Sequence, residues 1–408
     1  MAEPLAIIGN GIAATRLVDK LSSIAPGRYE ISVVGDEPSL AYNRVLLTSV
    51  LAGELDSTAV ELRAAQWWRD RNIALTYGCP AVAVDRKNSV VRLRGGAKLS
   101  YSKLVFATGS QPIQLPLPGA DLPGVVTFRE LRDVERILAR ARAGTRAVVI
   151  GGGVLGLETA HGLSKTGANV SIVHLKNRLM ERQLDARAAA LLEWKVEACG
   201  IRVLLDSESV AIHGRRKVMG LRLKNGTTVP ADLVVIAVGT NPNVRLARGA
   251  ELEVKDGIVV DDCLQTSDPN IFAIGDCAEH RGTCYGRVEP AYEQADMLAQ
   301  LLSGKATRYE GSVLATQLNV PGIDAFSAGD IVGAPGSQTT VFTDPGRGAY
   351  RKLVVADGKL TGAVLIGDTD DALWYLDLIR KRDSIAALGD GMIFGRAFAQ
   401  QTLQTNVA

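Results

Sequence analysis

Two stretches of the chain carry one and the same pattern of apolar and polar positions. The apolar run Leu5-Ala6-Ile7-Ile8 halts at Gly9-Asn10-Gly11, and apolar positions return at helical spacing from Ile12 to Leu21, which predicts a strand, a tight glycine turn and a helix. Ile31 to Val34 predicts a second strand, closed by Gly35-Asp36-Glu37-Pro38. The pattern starts again at Ala147-Val148-Val149-Ile150, enters Gly151-Gly152-Gly153-Val154-Leu155-Gly156, continues as a helix to Thr166, and gives its second strand at Asn169 to Val173. Strand endings match as well: Leu104 to Ala107 runs into Thr108-Gly109, and Leu233 to Val238 into Gly239-Thr240. Further strands are expected at Ala81 to Val84 and Val90 to Leu93. Thr127 with Glu130 reads as a capping box that opens a helix through Leu131, Val134 and Leu138, ending at Gly144. After Ala273-Ile274-Gly275-Asp276 come a helix near Glu293 to Leu302, strands at Leu353 to Val355 and Leu360 to Leu365, and a last amphipathic helix from about Asp371 to Arg382. One supersecondary plan is used twice, the second copy lying inside the first.

Length and composition narrow what this plan can serve. At roughly 100 to 200 residues per domain, 408 residues predict two to four domains, each with chain enough for a core. The 42 glycines are about a tenth of the chain against a usual ~7%, an excess that the strand-to-helix turns begin to explain. Lys and Arg number 46 against 44 Asp and Glu, so no global field favours nucleic acid or an anionic membrane as partner. The five cysteines are odd in number and never spaced CxxC, which speaks against a disulfide framework, a zinc site or a four-cysteine iron-sulfur cluster, so no metal is expected. No run approaches the ~18 to 20 apolar residues of a membrane span, and the expectation is a cytoplasmic protein.

The chemistry lies where strands meet glycines. Gly9, Gly11 and Ala14 form GxGxxA between a strand and a helix, which lets backbone approach a pyrophosphate whose charge sits at the helix N-terminus. Asp36 and Glu37 follow the second strand, where a carboxylate accepts from ribose hydroxyls. Gly151, Gly153 and Gly156 repeat the device in its stricter form, and two such sites imply two dinucleotides. A flavin that accepts hydride from a nicotinamide needs both in one protein, whereas two nicotinamides would serve no chemistry. Asp276, just after a strand, is suited to accept from a flavin's ribityl hydroxyls. The helix beginning near Pro290-Ala291-Tyr292-Glu293 is suited to aim its N-terminal N–H groups at the flavin pyrimidine.

With these motifs in place the chain resembles, over essentially its whole length, the FAD/NAD(P)H reductases of the pyridine nucleotide-disulfide oxidoreductase superfamily, which includes ferredoxin, rubredoxin and glutathione reductases. More closely, Tyr42-Asn43-Arg44-Val45-Leu46-Leu47, Val50-Leu51-Ala52-Gly53-Glu54, Leu179-Met180-Glu181-Arg182-Gln183-Leu184-Asp185, Cys277-Ala278-Glu279-His280-Arg281-Gly282 and Ala325-Phe326-Ser327-Ala328-Gly329-Asp330 are similar to the flavoprotein portion of assimilatory nitrite reductases and the electron-transfer subunits of assimilatory nitrate reductases. The resemblance implies an α/β fold with two Rossmann-like dinucleotide-binding domains, that for NAD(P) inserted in that for FAD, and a small α+β C-terminal domain. The expected division is 1–112 with 242–315 for FAD, 113–241 for NAD(P), and 316–408 for an interface domain that covers the flavin and presents a docking surface.

Residue roles follow from the same resemblance. FAD is expected at Gly9, Gly11, Ala14, Asp36, Glu37, Arg44, Val82, Ala107, Thr108, Gly109, Gly275, Asp276, Tyr292 and Glu293, with Arg44 neutralising the pyrophosphate or lying against the ring. NAD(P)H is expected at Gly151, Gly153, Val154, Leu155, Gly156, His174, Lys176, Arg178 and Gly239, and Glu158 is the catalytic candidate, holding the carboxamide beside the flavin. Where NAD enzymes place an acid about 20 residues beyond the glycines, His174 stands, followed by Lys176 and Arg178, which favours a 2′-phosphate and NADPH over NADH. Tyr42 to Ser49 carries neither the redox CxxC of glutathione reductases nor the single cysteine of NADH oxidases, and Ser49 stands where ferredoxin reductases often keep a lysine. No cysteine follows Cys284, so the electrons are expected to pass to a separate redox protein, an assimilatory nitrate or nitrite reductase, or a ferredoxin or rubredoxin of a monooxygenase system. A non-catalytic redox-sensing flavoprotein is the remaining alternative, and Trp374 and Tyr375 are candidates to line an electron exit.

Overall fold

A computed structural model describes residues 2–405, which divide into two compact units. The first comprises 1–47, 55–111 and 240–312. Its five-stranded sheet runs, in space, Ile271–Ala273, Lys103–Phe106, Glu3–Ile8, Tyr29–Val34 and Ala74–Thr76, every neighbouring pair parallel. Parallel strands buried on both faces read as continuous apolar runs, and Leu5 to Ile8 and Leu104 to Phe106 are accordingly buried. The helix Ile12–Ile24 buries Ala14, Leu17, Val18 and Leu21, and Arg16 grips Asp296 of the helix Val288–Leu302 with two hydrogen bonds of 2.6 and 2.7 Å. Pro290 sits in that helix's first turn, where its missing N–H costs nothing. A small antiparallel sheet, Ala81–Asp85, Val90–Leu93 and Lys98–Ser100, completes this unit's framework.

The second unit comprises 48–54, 112–239 and 313–408. Its parallel sheet has the order Arg202–Leu204, Asn169–Val173, Arg146–Ile150, Leu233–Ile236 and Val125–Thr127, the arrangement of the first unit repeated strand for strand around the central one. A three-stranded antiparallel sheet, Ser209–Gly214, Val218–Leu223 and Thr228–Pro230, follows the helix Ala186–Ala198. The C-terminal five-stranded antiparallel sheet is ordered Ala315–Val320, Ile323–Gly329, Lys359–Ile366, Ala349–Ala356, Gln338–Asp344, with the helix Ala372–Lys381 packed on it. Asp185 joins these parts: it caps the helix Ala186–Ala198 by accepting from the Ala188 N–H at 3.0 Å and takes the Tyr350 hydroxyl at 2.6 Å.

Two expectations are corrected here. The helix predicted from Thr127 to Gly144 spans only Leu131–Leu138, because Thr127 is the last residue of a strand and the cap moves three residues on. Buried Asp133 accepts from the Arg129 and Glu130 N–H groups at 2.9 and 3.1 Å, and the Thr145 hydroxyl, donating to the Arg140 carbonyl at 3.2 Å, fixes the turn beyond the helix. Tyr375 is fully buried and donates to the Met392 carbonyl at 2.6 Å, so it is core and lines no exit, while Trp374 is half-buried beside it.

Arg146 forks onto Asp232 through two 2.8 Å bonds, and its hydrogen bonding holds that carboxyl down to about 2. A carboxylate with a depressed pKa stabilises the fold above its unfolded value of about 3.9, and that contribution is lost as pH falls through about 2. Asp232→Asn is therefore expected to flatten the acid limb of the stability profile over this window, read by chemical unfolding at a series of pH values, with little change in the slope above pH ~5.

Candidate dinucleotide sites

In the first unit the Gly9 N–H donates to the Val34 carbonyl at 2.7 Å, and the chain then crosses the end of the neighbouring strand so closely that a Cβ on Gly9 would stand 2.1 Å from the Ala107 carbonyl oxygen. Its φ of +110° adds a conformation that only glycine adopts freely. Gly11 caps the helix Ile12–Ile24, no side chain supplies the cap, and the space beyond its Cα is open. The leading N–H groups of the helix are thus presented to any anion that enters. Ala14 faces the core and is fully buried.

Around this turn the fold gathers several of the predicted residues. Thr108 donates its hydroxyl to the Asn243 carbonyl at 2.7 Å, and the Asn243 N–H returns a bond to Gly109 at 2.9 Å. Asp276 accepts the Ser110 hydroxyl at 2.7 Å, and Gly275, whose N–H donates to Gln294 Oε1 at 2.7 Å, lies against Ala13. Glu37 accepts from the Tyr42 hydroxyl at 2.6 Å and pairs with Arg44, whose guanidinium stacks 4.9 Å from the Tyr42 ring centroid. Asp36 is exposed, as is Val82 on the separate antiparallel sheet. Tyr292 carries Arg16 at 5.2 Å from its ring centroid, and Glu293 accepts from Ser312, which in turn meets the Tyr309 hydroxyl. Burial pushes the Tyr309 hydroxyl well above its ordinary pKa, so it stays protonated as a donor.

The second unit repeats the construction. The Gly151 N–H donates to Val173 at 2.9 Å, a Cβ on Gly151 would lie 2.3 Å from the Ala237 carbonyl oxygen, and Gly153 caps the helix Val154–Lys165 without a side-chain cap and with open space beyond it. The third position differs. A Cβ on Gly156 would meet the Gly151 carbonyl oxygen at 2.0 Å, so the alanine tolerated at position 14 has no room here. Val154 and Leu155 form the half-buried first turn, and the Gly239 carbonyl accepts from the Ile113 N–H at 3.0 Å. Glu158 is 6% exposed, and its Oε1 accepts from the Asn319 N–H at 3.0 Å.

The three predicted cations do not converge. His174 is buried, its Nδ1 accepting from the Gly152 N–H at 3.0 Å and its Nε2 lying 3.2 Å from Glu181 Oε2. Lys176 is exposed, and Arg178 turns back to donate to the Glu181 carbonyl at 3.3 Å. Glu181 is a residue that spacing does not single out: it lies eight positions beyond the strand Asn169–Val173, on an irregular loop, and only the fold brings it to His174. Among the described residues no group of three or more His, Cys, Asp or Glu side chains is placed to hold a metal ion, and no helix is long and apolar enough to cross a membrane.

Comparison with known proteins finds matches over most of the chain. The family model for pyridine nucleotide-disulphide oxidoreductase matches residues 3–297, and that for the rubredoxin NAD+ reductase C-terminal domain matches 315–383. The nitrite reductase [NAD(P)H] of Bacillus subtilis is 42% identical over 94% of this chain and 48% of its own length. The assimilatory nitrate reductase electron transfer subunit of the same organism is 40% identical over 93% of this chain and 49% of its own. The chain thus spans about half the length of these curated relatives. The reductase in the crystal structure of the covalent putidaredoxin reductase–putidaredoxin complex is 27% identical, with a TM-score of 0.89 and full coverage of both chains.

Proposed function

The chain belongs to the pyridine nucleotide-disulphide oxidoreductase family, and from that premise we propose that it takes a hydride from NAD(P)H onto FAD and delivers the electrons to a separate redox protein. The observation that carries this reading is the duplicated turn: in each unit a helix N-terminus free of any side-chain cap opens onto space next to a glycine pressed against a neighbouring strand. Two such cradles suit two dinucleotide pyrophosphates. FAD, when bound, supplies the change from two-electron to one-electron transfer.

The residues of this chain then orient and bind. Gly9 to Ala14 would receive the flavin pyrophosphate, Asp276 its ribityl chain, and Glu37 the ribose, with Arg44 held beside it. Gly151 to Gly156 would receive the nicotinamide dinucleotide. Glu158, buried and fixed by the Asn319 N–H, would hold the carboxamide. The division into 1–112 with 242–315, 113–241 and 316–408, and a cytoplasmic location, belong to the same proposal. The acceptor would be an assimilatory nitrate or nitrite reductase, in keeping with the two Bacillus relatives. A ferredoxin or rubredoxin of a monooxygenase system is the second reading, favoured by the full-length likeness to putidaredoxin reductase and by the C-terminal family match.

Because hydride transfer depends on orientation rather than a side-chain nucleophile, Glu158→Gln is expected to slow flavin reduction by NAD(P)H about tenfold or more, roughly the loss of one charge-assisted hydrogen bond, while flavin content stays unchanged. Anaerobic stopped-flow absorbance measures it, and a wild-type rate in the variant would remove Glu158 from the site.

A further inference from the structure

Two hydrogen bonds and one imidazole ring link the second glycine turn to a carboxylate. Since His174 Nδ1 accepts from the Gly152 N–H, the proton of the neutral ring is on Nε2, where it donates to Glu181 Oε2. The Met180 N–H donates to the Gly152 carbonyl at 2.9 Å, and a Cβ on Gly152 would lie 2.7 Å from Leu179 and 2.8 Å from the His174 ring. The loop carrying Glu181 is therefore clamped onto the turn that would hold the pyrophosphate. The cations that follow the strand end do not gather as His174 and Glu181 do. The Arg178 Nη2 is engaged with the Glu181 carbonyl, its Nε is buried with no hydrogen-bond partner, and Lys176 stands exposed.

We infer that Glu181 is the residue that reads the 2′ position of the adenosine ribose, that His174 is its positioning residue, and that NADH is consequently the preferred donor over NADPH. A carboxylate accepts from the 2′-hydroxyl of NADH and repels the phosphate that NADPH carries there. The acid that the strand end lacks is supplied in space by the loop. This inference rests on the reading of the glycine turn at 151–156 as the NAD(P)H site.

The test is calorimetric titration of the flavin-loaded protein with NAD+ and NADP+, which bind without turnover. The expected result is NAD+ tighter than NADP+ by about tenfold or more in the native protein. Glu181→Gln is expected to shrink that ratio about tenfold by weakening NAD+ binding, and Glu181→Lys to invert it. His174→Leu should shrink the ratio as well, whereas His174→Gln, whose amide keeps one acceptor and one donor, should largely retain it; a merely structural histidine would lower both affinities together and leave the ratio alone. Tighter binding of NADP+ by the native protein, or a ratio unchanged in both Glu181 variants, overturns the inference while leaving the site in place. Binding of neither nucleotide overturns the site itself.

Discussion

Gly151→Val is expected to abolish binding of the nicotinamide dinucleotide while leaving the flavin bound. The backbone at Gly151 has φ of +124°, and a Cβ there would stand 2.3 Å from the Ala237 carbonyl oxygen, a distance at which something must move. Neither partner is free to move: the Ala237 N–H is bonded to Ile150 at 2.9 Å, and the Gly151 N–H to Val173 at 2.9 Å, so relief of the clash unpicks the ends of the central parallel strands. Backbone strain of about 1–3 kcal/mol with overpacking of similar size corresponds to a loss of affinity of about a hundredfold or more. The first turn, around Gly9, lies in the other unit and is untouched. Gly153→Ala is the discriminating control, since its φ is −83° and a Cβ there meets nothing within 4 Å. The fold accepts that methyl, so any loss of binding reports intrusion into the ligand's path. NAD+ titration, flavin absorbance and thermal melting separate the two effects, and a Gly151→Val protein that binds NAD+ normally would contradict the assignment of this turn.

Arg351→Leu is expected to destabilise the second unit by about 2 kcal/mol, the scale for losing a charge-assisted hydrogen bond from a buried guanidinium whose partners Asp368 and Asp371 stay partly solvated. Arg351 is 6% exposed, reaches Asp368 at 2.7 Å and Asp371 at 3.4 Å, and donates to the Ile393 carbonyl at 3.3 Å. It thus ties the strand Ala349–Ala356 to the start of the helix Ala372–Lys381 and to the turn before the helix Arg396–Thr405. Gly395 closes the same knot, because a Cβ there would lie 2.1 Å from Asp371 Oδ2. Removing the guanidinium leaves two carboxylates and a carbonyl facing one another. The expected fall in Tm is roughly 4–8 °C for a unit of this size. Arg351→Lys, a point charge that serves one carboxylate well but not two, should fall between. A change below about 1 kcal/mol in both variants would show the pair to be surface-like.

The parts legible in the sequence were those whose cause is local. Gly9 and Gly151 follow apolar runs and precede helical periods, so strand, turn and helix could be placed from neighbouring residues alone, and the second use of the pattern exposed the duplication. The strand endings at Ala107 and Ala237 repeat for the same reason: each supplies the carbonyl that the glycine must pass. Legibility stopped where long-range contacts choose between equal local options. Thr127 and Glu130 match a capping pattern as well as Glu130 and Asp133 do, and only the pairing of Val125–Thr127 at the sheet edge, which claims Thr127, decides between them. His174, Lys176 and Arg178 read as a phosphate-binding trio because sequence spacing cannot show that the imidazole turns inward to Gly152. Glu181 carries no such local signal because its loop has no period, and its position is set by His174 and by the Met180 bond to the glycine turn.

Whether this chain converts a hydride into single electrons for another protein is decided by anaerobic titration of the FAD-loaded protein with NADH, followed by an oxidised one-electron iron-sulfur protein. The flavin's visible absorbance is expected to bleach with one equivalent of NADH and to return as two equivalents of the acceptor are reduced. Flavin that stays oxidised in excess NADH and NADPH, or reduced flavin that passes no electron to any iron-sulfur acceptor, would contradict that conversion.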